Sequence, residues 1–192
     1  MTDNAELYFD DVVNRIKNHY DGTLIVITGR AGCGKTTLAL KLLKEINGNA
    51  DMRVLIAPED VRYLDKVCTE KDRAYLIDDS SITGSRMNDP ADTITRMVDK
   101  MGLILILIVP DMLHLPRQYR GPYEDGVNSE CRITFDCTGR GTFNAEGYVR
   151  WLDGRIRTYT SSGKIAQDDV DAVFPIQEQW LRMKMDGKSW KP

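Results

Sequence analysis

Apolar and polar positions fall into blocks along the chain. Thr23 to Thr28 (TLIVIT) is a β-branched run without a charge, which predicts a buried strand. Lys35 to Ile46 (KTTLALKLLKEI) has apolar residues at helical spacing and is stopped by Asn47-Gly48. Met52 to Ala57 reads as a second strand, Pro58 to Cys68 as a short helix opening on proline, and Arg73 to Asp78 as a third strand. Asp89-Pro90 opens a helix through Met101, and Leu103 to Val109 (LILILIV) is a fourth strand. Upstream, Leu7, Phe9, Val12, Val13 and Ile16 give Asp3 to Tyr20 the pattern of an amphipathic helix.

Continuous apolar strands alternating with helices predict a parallel sheet covered on both faces. The last third differs. Cys131 to Cys137 (CRITFDC) is a strand, and Tyr148 to Leu152 and Arg155 to Tyr159 form a hairpin around Asp153-Gly154, a two-residue turn signal. A loop from Tyr119 to Ser129 precedes them, and a helix from Ile176 to Met185 closes the chain. The expectation is an α/β fold with a mainly parallel sheet of about five strands, flanking helices and a small antiparallel hairpin extension. It is read as a single domain, 1–192, with an N-terminal helix (1–20), a core (22–120), and a hairpin extension with the C-terminal helix (121–192).

Composition changes this picture little. Of 192 residues 42% are hydrophobic and 29% charged, and a net charge of -3 excludes a globally basic coat. Any nucleic-acid surface is therefore a local patch. Cys33, Cys68, Cys131 and Cys137 lack metal-binding spacing and have only His19 and His114 to help, so the expectation is reduced thiols without zinc. Cys131 and Cys137 lie on one strand, roughly 20 Å apart end to end, too far for a shared ion or disulfide. The acidic N-terminus lacks the apolar region of a signal peptide, and LILILIV is too short to span a bilayer. A cytoplasmic protein with no membrane span is expected, in the host cytoplasm if the chain is viral.

Gly29-x-x-x-x-Gly34-Lys35-Thr36 has Walker A spacing, between a strand and a helix. Glycines at 29, 32 and 34 let the backbone curl so that N–H groups surround phosphate oxygens. The expected ATP cradle is Gly29, Arg30, Ala31, Gly32, Cys33, Gly34, Lys35, Thr36 and Thr37, with Lys35 on the β- and γ-phosphates and the Thr36 hydroxyl on Mg²⁺. The apolar strand ending in Asp78-Asp79 has Walker B character. Asp78 is expected to hold Mg²⁺ through water, and Asp79 to polarise the attacking water.

The βα unit between these motifs, the acid pair, the segment from Arg96 to Arg120 and the closing Phe174-Pro175 together resemble the additional-strand ATPases. That class includes RecA-like, AAA+ and HerA/FtsK-like motors, and the similarity, over roughly positions 22 to 190, is to small HerA/FtsK-type ATPases of archaea, plasmids and viruses. The resemblance implies Mg²⁺-dependent ATP hydrolysis in a homo-oligomer that translocates, packages or remodels DNA. It also implies a trans arginine on the neighbour's γ-phosphate, for which Arg86, Arg117 and Arg120 are the candidates. Val109-Pro110-Asp111 departs from the family, whose motors often carry Gln, Asn or Thr at the end of this strand to sense the γ-phosphate. Two other readings stand: a nucleotide or small-molecule kinase, and a nucleotide-regulated switch or helicase-loader-like module. The chain lacks the Asn-Lys-x-Asp base-reading motif of GTPases.

A two-residue turn at Asp153-Gly154 would set Arg150 opposite Arg157 and Tyr148 opposite Tyr159. Tyr148, Arg150, Arg155, Arg157 and Tyr159 would then share a basic, aromatic face. Opposed arginines repel unless an anion or a nearby acid, such as Asp136 or Glu146, offsets them; a phosphodiester backbone would do so, and this face is the expected nucleic-acid or partner contact.

Overall fold

Strand β2 (Thr23–Gly29) is buried over its whole length to Thr28, as a strand covered on both faces must be. It belongs to a computed structural model that describes residues 5–6, 13–14, 22–48, 55–56, 66, 68, 70, 73–78, 98, 101–111, 113, 131–150 and 156–186. The other strands are β1 (Ala5–Glu6), β3 (Leu55–Ile56), β4 (Ala74–Asp78), β5 (Ile104–Ile108), β6 (Cys131–Gly139), β7 (Thr142–Arg150) and β8 (Ile156–Lys164). The two helices with defined bounds are α1 (Lys35–Asn47) and α2 (Gln167–Met185).

Among the described residues the eight strands form one sheet in the order β1-β8-β7-β6-β2-β5-β4-β3. From β6 through β2, β5 and β4 to β3 every pair is parallel, whereas β6 with β7 and β7 with β8 are antiparallel. The sheet is therefore mixed, not mainly parallel. Strands β7 and β8, each nine residues long, are full members of it, where the sequence predicts a small appended hairpin. Ala5–Glu6 pairs in parallel with β8, so part of the segment expected to be helical is an edge strand. Val13 and Asn14 are helical; the rest of that predicted helix, and most of those expected over 58–68 and 89–101, lie outside the described residues.

Six residues of α1 (Leu38, Ala39, Leu40, Leu42, Leu43 and Ile46) are buried, more than one helix face. The sheet takes one side, and α2 takes another through a Lys41 to Asp169 ion pair at 2.7 Å and a Thr37 to Gln177 side-chain hydrogen bond at 3.2 Å. Gly48, at φ 75°, supplies the left-handed residue that ends α1. Asn47 then ties this end to the sheet, donating to the Ala74 carbonyl at 3.0 Å and accepting from the Ala74 N–H at 2.8 Å.

The ladder β6-β7-β8 sets two faces. One carries Ile133 and Phe135, then Ala145 and Phe143, and packs into the core with Val173 and Trp180 of α2. Phe143 stacks edge-on against Phe135, with centroids 5.5 Å apart. Its ring also lies over Gly163, where an added Cβ would meet it at 2.6 Å. The opposite face aligns Asp136, Asn144 and Ser162, and beside them Thr134, Glu146 and Thr160, in an open polar depression.

Helix α2 begins nine residues before the predicted Ile176, and Pro175 lies inside it instead of ahead of it. Asp168 and Asp169 in the first turn favour the earlier start by their charge at the positive end of the helix dipole.

Candidate functional site

The loop from β2 to α1 is shaped by three glycines in conformations that side chains rarely adopt: Gly29 at φ 133°, Gly32 at 77° and Gly34 at 102°. Gly29 has a second constraint. An added Cβ there would lie 2.6 Å from the Cys137 carbonyl, 2.9 Å from Cys137 Cβ and 2.9 Å from Cys33 Sγ. The loop can thus pass against β6 only as glycine. Gly34 caps α1 without a side-chain hydrogen bond, and the first turn holds no acidic residue. That helix end presents backbone N–H donors and the positive end of its dipole, which suits an anion.

Lys35 Nζ donates to the carbonyls of Gly29 at 2.7 Å and Arg30 at 2.9 Å, so the ammonium sits at the mouth of the curled backbone. Arg30, Ala31 and Gly32 are exposed at the crown, whereas Cys33 is buried beneath it. Thr36 is half-buried in the first turn of α1, and the Thr37 hydroxyl is turned to Gln177 of α2. Glycine curl, helix terminus and lysine fit a polyphosphate.

Strand β5 separates β2 from β4. Asp78 pairs with Ile108, which pairs with Ile27, so Asp78 stands two strands from the loop at the same level of the sheet. Loop and acid therefore share the carboxyl end of the parallel strands, where ligands of such sheets bind. The end of β5 is fastened to the loop strand: Val109 N–H donates to the Ile27 carbonyl at 3.0 Å, and Gly29 N–H to the Pro110 carbonyl at 3.3 Å. Asp79, Arg86, Arg117, Arg120 and Arg155 lie outside the described residues.

The expected basic hairpin face is corrected by the register. Tyr148 pairs with Thr158, Val149 with Arg157 and Arg150 with Ile156, one residue away from the pairing that a turn at Asp153-Gly154 would impose. Tyr148 and Arg150 thus take one face of the sheet, Arg157 and Tyr159 the other. Arg150 and Arg157 do not oppose each other. Tyr148, at 2% exposure, is enclosed instead of offered to a base. The pairing belongs to a nine-residue ladder that seats Phe143 on Gly163, and Asp153-Gly154 lies outside the described residues.

Two contacts beside the loop are not foreseeable from the motifs. Thr28 donates to Asp136 Oδ1 at 3.1 Å, one residue before the loop begins. The β6–β7 turn reaches the loop as well, Gly141 N–H donating to the Cys33 carbonyl at 3.1 Å. The clue in the sequence is Gly139-Arg140-Gly141 between two strand patterns.

Burial pushes the Cys137 thiol up to about 12, helped by the charge and hydrogen bond of neighbouring Cys33. Burial alone takes Cys68 to about 12. Each thiol keeps its proton to higher pH when folded than when unfolded. Their contribution to stability is therefore complete below the ordinary thiol value of 9.0 and is lost as pH climbs through about 12. At pH 8 their thiolate fraction falls roughly a thousandfold, since a rise of one in pKa is a factor of ten. Iodoacetamide at that pH is expected to leave Cys68 and Cys137 unlabelled in the native protein and to label both in concentrated urea, as peptide mass mapping would show.

A strand, a glycine loop and a helix on an α/β sheet, with lysine and threonine at the helix start, define a P-loop nucleotide-binding fold. Among solved structures the chain is similar to the ATPase DotB of Legionella pneumophila, at 12% identity and a TM-score of 0.44, over 91% of this chain and 55% of DotB. The chain thus spans about half the length of that protein. No family model matches the sequence, and no curated protein does. Among the described residues no helix is long and apolar enough to cross a membrane.

Proposed function

We propose that this chain is an Mg²⁺-dependent ATPase of the additional-strand class, working as a homo-oligomeric motor on DNA. The observation that carries the reading is strand order: a strand (β5) stands between the P-loop strand and the strand ending in Asp78. That insertion, which gives the class its name, is expected from the resemblance to HerA/FtsK-type ATPases.

In this reading the N–H groups of the loop and α1 bind the phosphates, and Lys35 exchanges two loop carbonyls for β- and γ-phosphate oxygens. Thr36 and Asp78 would hold Mg²⁺, which would supply neutralisation of the charge developing on the transferred phosphoryl group. Asp79 orients water for attack, while Arg86, Arg117 or Arg120 reaches the γ-phosphate of a neighbouring subunit. With Tyr148 buried and Arg150 on the other face of the sheet, the proposed nucleic-acid contact narrows to Arg157 and Tyr159 of β8, with Arg155 beside them in the sequence.

The test is phosphate release from ATP with and without DNA across a range of protein concentration. Release that rises more than linearly with protein and is stimulated by DNA supports the motor. Transfer of phosphate to an added small molecule, with no dependence on DNA or concentration, would replace it with a kinase.

A further inference from the structure

The β6–β7 turn is built against the phosphate loop. Gly141 N–H donates to the Cys33 carbonyl at 3.1 Å, and the Gly141 carbonyl accepts from Ile165 N–H at 2.7 Å, so the turn is held on one side by the loop and on the other by the segment entering α2. The contact is close. A Cβ added to Gly34 would lie 3.5 Å from Gly141 N and 3.7 Å from Gly141 Cα.

The turn's own shape is fixed too. The pairing register shifts between Cys137 and Gly139, and Gly141 has φ 75°. A Cβ at Gly139 would meet Thr142 Oγ1 at 2.8 Å. Between these glycines stands Arg140, exposed and, among the described residues, without an ion-pair partner. Its neighbour in the chain is bonded to the phosphate loop, next to a helix start that lacks any acid to compete for the guanidinium.

The geometry points to Arg140 as a nucleotide-binding arginine that contacts the phosphates shared by ADP and ATP. Position in the sheet decides which phosphates. The turn belongs to β6, on one side of β2, whereas Asp78 belongs to β4 on the other. In the proposed reading metal and γ-phosphate would lie toward β4, which leaves the β6 side to the α- and β-phosphates. A planar guanidinium held by a fixed turn suits two oxygens of such a group. This inference rests on the P-loop reading and differs from the trans arginines in acting within its own subunit.

The test is titration of the full chain with fluorescently labelled ADP and ATP, comparing wild type, Arg140→Ala, Arg140→Lys and Lys35→Ala. Arg140→Ala is expected to weaken ADP and ATP by the same factor, about tenfold or more, as loss of a charge-assisted hydrogen bond does. Arg140→Lys should recover part of the loss by keeping the charge without the fork. Arg140→Ala binding both nucleotides as tightly as wild type, or losing ATP alone, overturns the inference and leaves the P-loop reading intact. Wild-type protein that binds neither nucleotide removes the P-loop reading, and the inference with it.

Discussion

Lys35→Ala is expected to lower ATP affinity by about two orders of magnitude while leaving the fold in place. The ammonium lies within 3 Å of the Gly29 and Arg30 carbonyls, so it is already held at the loop mouth. Removing it takes the loop's own ammonium away from the β- and γ-phosphates. The freed carbonyls are less costly, because Arg30 is exposed and Gly29 only half-buried, so water can replace the lysine. Titration calorimetry should therefore show binding lost while the thermal transition moves by no more than a few degrees, as for a change of under about 1 kcal/mol. Affinity preserved in this variant would show that the loop does not hold phosphate.

Gly29→Ala is expected to act on the fold itself. Two costs add at this position: a backbone at φ 133°, and a methyl group forced to 2.6 Å from the Cys137 carbonyl and 2.9 Å from Cys33 Sγ. Strain of about 1–3 kcal/mol and overpacking of similar size give about 2–6 kcal/mol, against a total stability of about 5–15 kcal/mol for a typical domain. Gly32→Ala separates the two. Its φ of 77° carries the backbone cost, but nothing lies within 4 Å of the added carbon. Urea unfolding should lower the midpoint far more for Gly29→Ala than for Gly32→Ala, and equal losses would mean that close contact with β6 is not what demands glycine there.

The parts legible in the sequence are those written locally. The P-loop is eight consecutive positions between a charge-free strand and a capped helix, and the four parallel strands are visible as apolar runs. What fails is decided at a distance. Asp153-Gly154 is a sound turn signal, but register belongs to the whole ladder, where Phe143 must meet Gly163. Ala5–Glu6 has helical surroundings in the sequence, yet pairs with residues more than 150 positions away. Arg140 is hidden for the same reason: no local pattern shows that the β6–β7 turn returns to a loop more than 100 residues earlier.

Strand order also bears on how the chain is made. The P-loop strand has β5 on one side and β6 on the other, and neither is near it in sequence. During synthesis Thr23–Gly29 emerges early, but one flank cannot be covered until Cys131–Gly139 has followed. Until then an uncharged, largely β-branched strand stands with an open hydrogen-bonding edge, the feature most prone to pair with another chain. The segment that grips phosphate is therefore also the one that a nascent or truncated chain most needs to shield, and residues up to 139 are the minimum that shields it.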